Sequence, residues 1–151
     1  MRAILQRVES ASVEVDGELV GAISRGILAL VGVETGDGAG EVAALAKKMA
    51  GLRIFEDAEG RMNLDAAAVG GEFLVVSQFT LAASLERGRR PSFNHAAGPE
   101  EARPLVEALM RDLARRGFRV AGGRFGARMK VELINDGPVT FALEVRDSRV
   151  V

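Results

Sequence analysis

The sequence predicts an α/β domain built on a mixed β-sheet, and three observations support this fold class. Residues 27–33 form a continuously apolar run and 73–79 read as a second buried strand, each with the length of a strand covered on both faces. Two longer segments repeat their apolar residues at helical spacing, each next to such a strand. Partly alternating, β-branched stretches open and close the chain. The order is three strands, helix, strand, helix, three strands. That order suits layered strands with helices on one face of the sheet and hairpins on the other. At 151 residues, without repeats, low-complexity segments or a linker, residues 1–151 are expected to form a single domain.

Each element has its own signal. Residues 3–15 read as the first strand, and Asp16-Gly17 supplies a hairpin turn into residues 18–24. Arg25-Gly26 leads into the buried run 27–33, and a glycine-studded loop at 35–40 precedes a helix over 41–53. In that helix Val42, Leu45, Ala46, Met49 and Leu52 share a face opposite Lys47 and Lys48. Gly70-Gly71 introduces the second buried strand, 73–79. Gly98-Pro99 opens another helix, with Leu105, Val106, Leu109, Met110 and Leu113 as its apolar stripe and Gly117 at its end. Pro104 lacks an N–H, which predicts that the regular part begins a few residues beyond 99. Residues 118–122, 128–134 and 139–145 read as the closing strands; their order in the sheet does not follow from the sequence.

Composition excludes several chemistries. The chain has no cysteine and one histidine, His95, so thiolate nucleophiles and zinc sites built from several histidines or thiolates are ruled out. No metal or other cofactor is expected. A serine triad would need His95 with Ser77 or Ser92, and no Gly-x-Ser-x-Gly elbow is present. Neither the 32–38 nor the 122–126 glycine cluster matches a phosphate-binding loop, so turn formation is the better reading. Glu56-Asp57 and Glu100-Glu101 read as solvated charges. The opening lacks the apolar run of a signal peptide and no stretch approaches a membrane span, so a cytoplasmic location without a membrane partner is expected. A net charge of -1 argues against non-specific nucleic-acid binding. Arginines do cluster, at 87, 89 and 90 and again between 111 and 128, with Lys130 beyond them. A solvated helix face with its flanks explains such a run, and a local phosphate-contacting patch would look the same.

Two segments carry more than structure requires. Ser77-Gln78-Phe79-Thr80-Leu81 brings three polar side chains to the mouth of a buried strand, where α/β sheets bind ligands. The plainer reading is a strand end whose hydroxyls satisfy nearby backbone. Asn135-Asp136-Gly137-Pro138-Val139-Thr140 lies between two strands and reads first as a hairpin connection, since its residues are turn formers. A cis Gly137–Pro138 bond would instead make it a fixed kink aiming carbonyl groups at a ligand.

These segments together resemble the D-aminoacyl-tRNA deacylase family over essentially the whole chain. The resemblance rests on the opening Met1-Arg-Ala-Ile-Leu-Gln-Arg-Val8, on 77–81, on Gly88-Arg-Arg-Pro-Ser-Phe93, on Gly123-Arg-Phe-Gly-Ala-Arg-Met-Lys-Val131 and on 135–140, in that order. It implies hydrolysis of the ester between a D-amino acid and the tRNA 3′ end, as translation quality control. L-aminoacyl-tRNA would be spared and glycyl-tRNA accepted. It also implies a homodimer in which a cis Gly137–Pro138 reaches into the partner's active site. A rigid main-chain wall would then exclude L-side chains, selecting against them without contacting the D-side chain. Gln78, Phe79 and Thr80 would form the catalytic end, their backbone N–H groups polarising the ester carbonyl. Ser77, Met129, Gly137 and Pro138 would contact substrate, with residues 90–93 helping Met129 shape a place for the terminal adenosine. Thr80 is the candidate nucleophile by position, yet no base is in sight to activate it. Water, helped by the neighbouring ribose hydroxyl, is the preferred nucleophile, with Thr80 orienting the substrate.

Two rival readings remain open on the sequence alone. A small-molecule esterase or amidase using Ser77 or Thr80 would act on simple esters without RNA. A non-catalytic RNA-binding module would use the arginine patch and bind regardless of aminoacylation.

Overall fold

The computed structural model describes residues 1–86 and 88–151, so Arg87 of the first arginine cluster lies outside the described residues. The chain begins with β1 (Arg2–Val15), β2 (Glu18–Ile23) and β3 (Gly26–Gly32). Asp16 and Gly17 both take positive φ, 51° and 82°, the twist that a two-residue hairpin needs. Next come α1 (Ala39–Ala50), a small hairpin of β4 (Phe55–Glu56) and β5 (Met62–Leu64), and β6 (Glu72–Ser77). A 3₁₀ turn (Phe79–Ala82), α2 (Pro99–Arg115), β7 (Val120–Gly122), β8 (Lys130–Arg146) and β9 (Arg149–Val150) complete it.

The seven-stranded sheet has the order β7-β6-β3-β1-β8-β9, with β2 also on β1. β3, β6 and β7 run parallel, because α1 and α2 carry the chain back between them. The other pairings are antiparallel. The sheet is therefore mixed, as expected. β1 is its spine: Arg2–Val8 pairs with β3, Ala11–Val15 with β2 on the same edge, and β8 follows the other edge.

Two cores result from the alternation. Ile27, Ala29 and Val31 of β3 and Phe73 and Val75 of β6 face α1 and α2, meeting Leu45, Met49, Leu109 and Leu113. Leu28, Leu74 and Val76 point to the other face, where Val8, Val13, Val15 and Ile23 cover them. β1 serves both cores because its register shifts between Gln6 and Ser10. Ala3 and Leu5 thus join the helical core, whereas Ala11, Val13 and Val15 join the other. Such a bulge bends the strand and increases its twist, which lets the sheet curl over itself. The curl brings β2 onto β7 closely enough that a Cβ at Gly21 would lie 2.3 Å from the Gly122 carbonyl oxygen.

Three expectations are corrected. Residues 128–134 and 139–145 are not two hairpin-linked strands; from Lys130 onward they fall in one strand, β8, whose flanks on both sides of residues 136–139 pair with β1. Gln6 pairs with Thr140 and Val8 with Asn135, so residues 136–139 bulge out opposite Arg7. The turn formers extrude from the ladder instead of reversing it, because both flanks find their partners on the same neighbour. Second, α2 begins at Pro99 despite Pro104. Pro104 and Glu100 are both exposed, so water can satisfy the carbonyl that loses its helical donor. Third, α1 ends at Ala50, with Gly51 as its C-cap, and the second buried strand stops at Ser77, before the 3₁₀ turn.

Candidate active site

The carboxyl ends of the parallel strands β3 and β6 open on a cleft of about 550 Å³. This is where ligands bind in α/β sheets. Ser77, Gln78 and Phe79 form one side. Pro99, Ala102 and Val106 of α2 face them, and Phe125, Ala127 and Met129 form a third wall from the loop between β7 and β8. Gly123 makes room for Met129, whose sulfur would lie 2.5 Å from a Cβ there.

The polar side of the cleft is set by how β6 ends. The Gln78 N–H donates the last rung to the Val31 carbonyl at 2.7 Å. Gln78 then leaves the strand with φ −142° and ψ 80°, and the chain tightens into the 3₁₀ turn. Among the described residues the N–H groups of Phe79 and Thr80 meet no hydrogen-bond acceptor, as expected at the start of a helical turn. The Gln78 side-chain amide donates to the Thr80 hydroxyl, tying the two together at the rim. Gly32 allows the turn to fold back over β3: a Cβ there would lie 2.9 Å from both the Gln78 carbonyl oxygen and the Leu81 Cβ. Close approach, rather than turn formation, is thus the role of Gly32.

Among the described residues no titratable side chain lines this cleft. Its resources are amide and hydroxyl groups and an apolar enclosure, which suit polarising a carbonyl rather than moving a proton. His95 faces a separate, polar cleft with Glu34, Asp37 and Arg146, and Ser92 is bonded to Ser84 through its backbone. Among the described residues His95 makes no side-chain hydrogen bond to Ser77 or Ser92, so the serine–histidine arrangement is not assembled. Among the described residues no group of three or more His, Asp or Glu is placed to hold a metal ion, and no helix is long and apolar enough to cross a membrane.

Gly137 and Pro138 lie elsewhere. Their peptide bond is cis, and both residues are exposed at the tip of the bulge, outside their own chain's cleft. The base of the bulge is tied down firmly. Arg7, only 3% exposed, donates from Nε to the Asp136 carbonyl at 3.0 Å and from Nη1 to the Ile54 carbonyl at 2.7 Å. Its Nε also lies 3.1 Å from the Asp136 carboxylate. The Asn135 side chain accepts from the Val139 N–H at 3.0 Å and donates to Thr140 Oγ1. The structure thus brings Ser77, Gln78, Phe79 and Met129 to one cleft, sets Thr80 at its edge, and leaves Gly137 and Pro138 away from it.

Residues 4–144 match the family described as D-Tyr-tRNA(Tyr) deacylase. The chain belongs to that family. It is similar to the D-aminoacyl-tRNA deacylase of Roseiflexus castenholzii, 58% identical over 95% of this chain and 92% of the relative. It is likewise similar to that of Methylococcus capsulatus, 56% identical over 99% and 97%. A solved c-Myc DNA unwinding element binding protein superposes with a TM-score of 0.90 at 39% identity, covering 97% of this chain and 99% of that one. A probable eukaryotic D-amino acid tRNA deacylase shares the fold, with a TM-score of 0.78 at 18% identity over 93% and 97%.

Seen in this deacylase, the sequence reading missed the α2 side of the cleft. Ala102 and Val106 read as core because a helix stripe looks the same whether it packs on a sheet or borders a cavity. Phe125 was the detectable signal, a large apolar residue between Gly123 and Gly126 in a loop that also carries Arg124 and Arg128.

Proposed function

We propose that residues 1–151 act as one deacylase domain, hydrolysing the ester between a D-amino acid and the tRNA 3′ end in the cytoplasm. L-aminoacyl-tRNA is spared and glycyl-tRNA accepted, which makes the reaction a quality-control step in translation. Family membership supports this reading, and one observation carries it: among the described residues the cleft beside Ser77–Phe79 has unclaimed backbone donors and no titratable side chain. The Phe79 and Thr80 N–H groups hold the ester carbonyl as negative charge develops on its oxygen. Water attacks, helped by the adjacent ribose hydroxyl, while Gln78 and Thr80 orient the substrate and Ser77 and Met129 bound the pocket. Thr80 receives its hydrogen bond from an amide, which cannot serve as a base to activate a nucleophilic hydroxyl.

The enzyme works as a homodimer, with Gly137–Pro138 of each chain completing the partner's cleft as the wall against L-side chains. Their exposed position supports this, as do Ile134 and Phe141, large apolar residues on either side of the bulge that are 55% and 36% exposed.

The test compares amino-acid release from D-tyrosyl-, L-tyrosyl- and glycyl-tRNA at catalytic enzyme concentration. Rapid loss of the D- and glycyl-esters with the L-ester spared is expected. Equal hydrolysis of D- and L-esters would point to a general esterase. Binding without hydrolysis would favour a nucleic-acid-binding module. Thr80→Val should retain activity within about tenfold; loss of all turnover would make Thr80 the nucleophile.

A further inference from the structure

Most of the basic side chains noted in the sequence are neutralised locally. Arg119 pairs with Glu72 at 2.6 Å, Arg116 with Asp112 at 2.7 Å and Arg124 with Glu18 at 3.3 Å. Lys130 pairs with Glu14 at 3.4 Å, Arg111 with Glu107 at 3.8 Å and Arg115 with Asp112 at 3.9 Å. The α2 face and its flanks are thus largely a solvated network of mixed sign, in which Arg115 and Arg116 share Asp112, and only Arg103, over the Phe125 ring, and Arg128 stand outside the ion pairs among the described residues.

Arg89 and Arg90 differ. Both are exposed, and among the described residues neither is in an ion pair. They sit near the tip of an arm that leaves the 3₁₀ turn and returns beside it. Two backbone hydrogen bonds close the arm, Ser84 N–H to the Ser92 carbonyl at 2.8 Å and Ser92 N–H to the Ser84 carbonyl at 3.0 Å. Just beyond, the Phe93 ring packs on Phe79, with centroids 5.0 Å apart. Phe79 lines the cleft, so this aromatic pair anchors the arm at the cleft mouth.

We propose that Arg89 and Arg90 bind the phosphodiester backbone of the RNA strand as it leaves the cleft, next to the terminal adenosine. The inference rests on the deacylase reading for its substrate, but on the arm's own charge and anchorage for its place. An ester linked to a polyanion must be held with its strand running out over the mouth, and these arginines are uncompensated charge on the arm anchored beside it. Guanidinium groups suit phosphate oxygens by geometry as well as charge.

The test measures kcat/KM for D-tyrosyl-tRNA and for D-tyrosyl-adenosine, which has no phosphodiester. Wild type is compared with Arg89→Ala/Arg90→Ala and with Arg111→Ala/Arg115→Ala as the paired-arginine control. The arm variant should lose about tenfold more on tRNA than on the adenosine ester. Its salt dependence should flatten by about 0.7 in log–log slope for each phosphate that is no longer neutralised. The control should change neither. Equal losses on both substrates would assign the arm to the ester pocket and overturn the proposal, as would no loss on tRNA. In parallel, anisotropy of a 5′-labelled RNA oligonucleotide ending in CCA reads binding without turnover. If wild type hydrolyses neither ester, the deacylase reading fails, and the arm stands or falls on whether the variant weakens this binding. Equal competition by duplex DNA would overturn the assignment to an RNA end.

Discussion

The strand end at Ser77–Thr80 and the bulge at Asp136–Val139 are both polar interruptions of a ladder, yet they meet opposite surroundings. The first turns inward at the mouth of a cleft walled by α2 and the 123–129 loop. The second turns outward and presents Gly137 and Pro138 to solvent. Both are held in place, the first by Gly32 and the Val31 carbonyl, the second by a buried arginine. A rigid segment with no cavity of its own is what a shared site requires. The difference teaches that this chain holds one polar segment inside its cleft and another outside it, the arrangement that the proposed shared site needs.

The sharpest way to break that comparison is to damage the halves separately. Gln78→Ala and Gly137→Val, whose new Cβ would lie 2.8 Å from the Val139 nitrogen, should each lose activity by about a hundredfold or more. Dissociated and reassociated as a mixture, they should recover about a quarter of wild-type activity, because half the dimers are mixed and each mixed dimer holds one intact site. No recovery would mean that each site is complete within one chain.

A smaller effect separates the supports. Arg7→Met strips donors from the Asp136 and Ile54 carbonyls, and the expected cost is about 2–3 kcal/mol of stability in urea denaturation. Its kcat/KM should fall as well, because the bulge loses its footing while the cleft keeps its shape. Unchanged activity would detach the bulge from catalysis. Gly32→Ala tests the other half. Its Cβ crowds Gln78 and Leu81, for an expected cost of about 1–2 kcal/mol and a fall in kcat. A rate equal to wild type would show that the turn tolerates displacement.

The smallest effect belongs to neither half. Glu41 at the start of α1 accepts hydrogen bonds from the Ser148 N–H at 2.8 Å and the Gly38 N–H at 2.9 Å. The Ser148 N–H, then that of Gly38, holds its carboxyl below its ordinary value of 4.5. Its contribution is fully present above that ordinary value and is lost as pH falls through the lowered one. Glu41→Gln should therefore flatten the acid side of the stability profile while leaving activity near neutral pH unchanged. A profile that superposes on wild type throughout the acid range would remove Glu41 as a contributor.

Local chemistry made much of this readable in advance. Apolar runs mark β3 and β6, helical spacing marks α1 and α2, and Asp16-Gly17 marks the first hairpin; each signal depends only on neighbours in sequence. Motif order along the chain pointed to the family, and the lack of cysteine and further histidine removed most alternative chemistries. What no local signal carries is partnership. Turn formers at 135–140 look the same whether the ladder reverses or bulges, because the outcome depends on β1 pairing with both flanks. The apolar residues of α2 look the same whether they meet a sheet or border a cavity. The arginines look alike until Glu72, Glu18 and Asp112 arrive from distant or helical positions to neutralise some and not others. The sequence by itself determined the family and the main elements, the first three strands, both helices and β6. Only the tertiary structure decided which residues face the cleft, which face solvent and which charges remain unspent, because those are relations between segments that meet only once the sheet has curled.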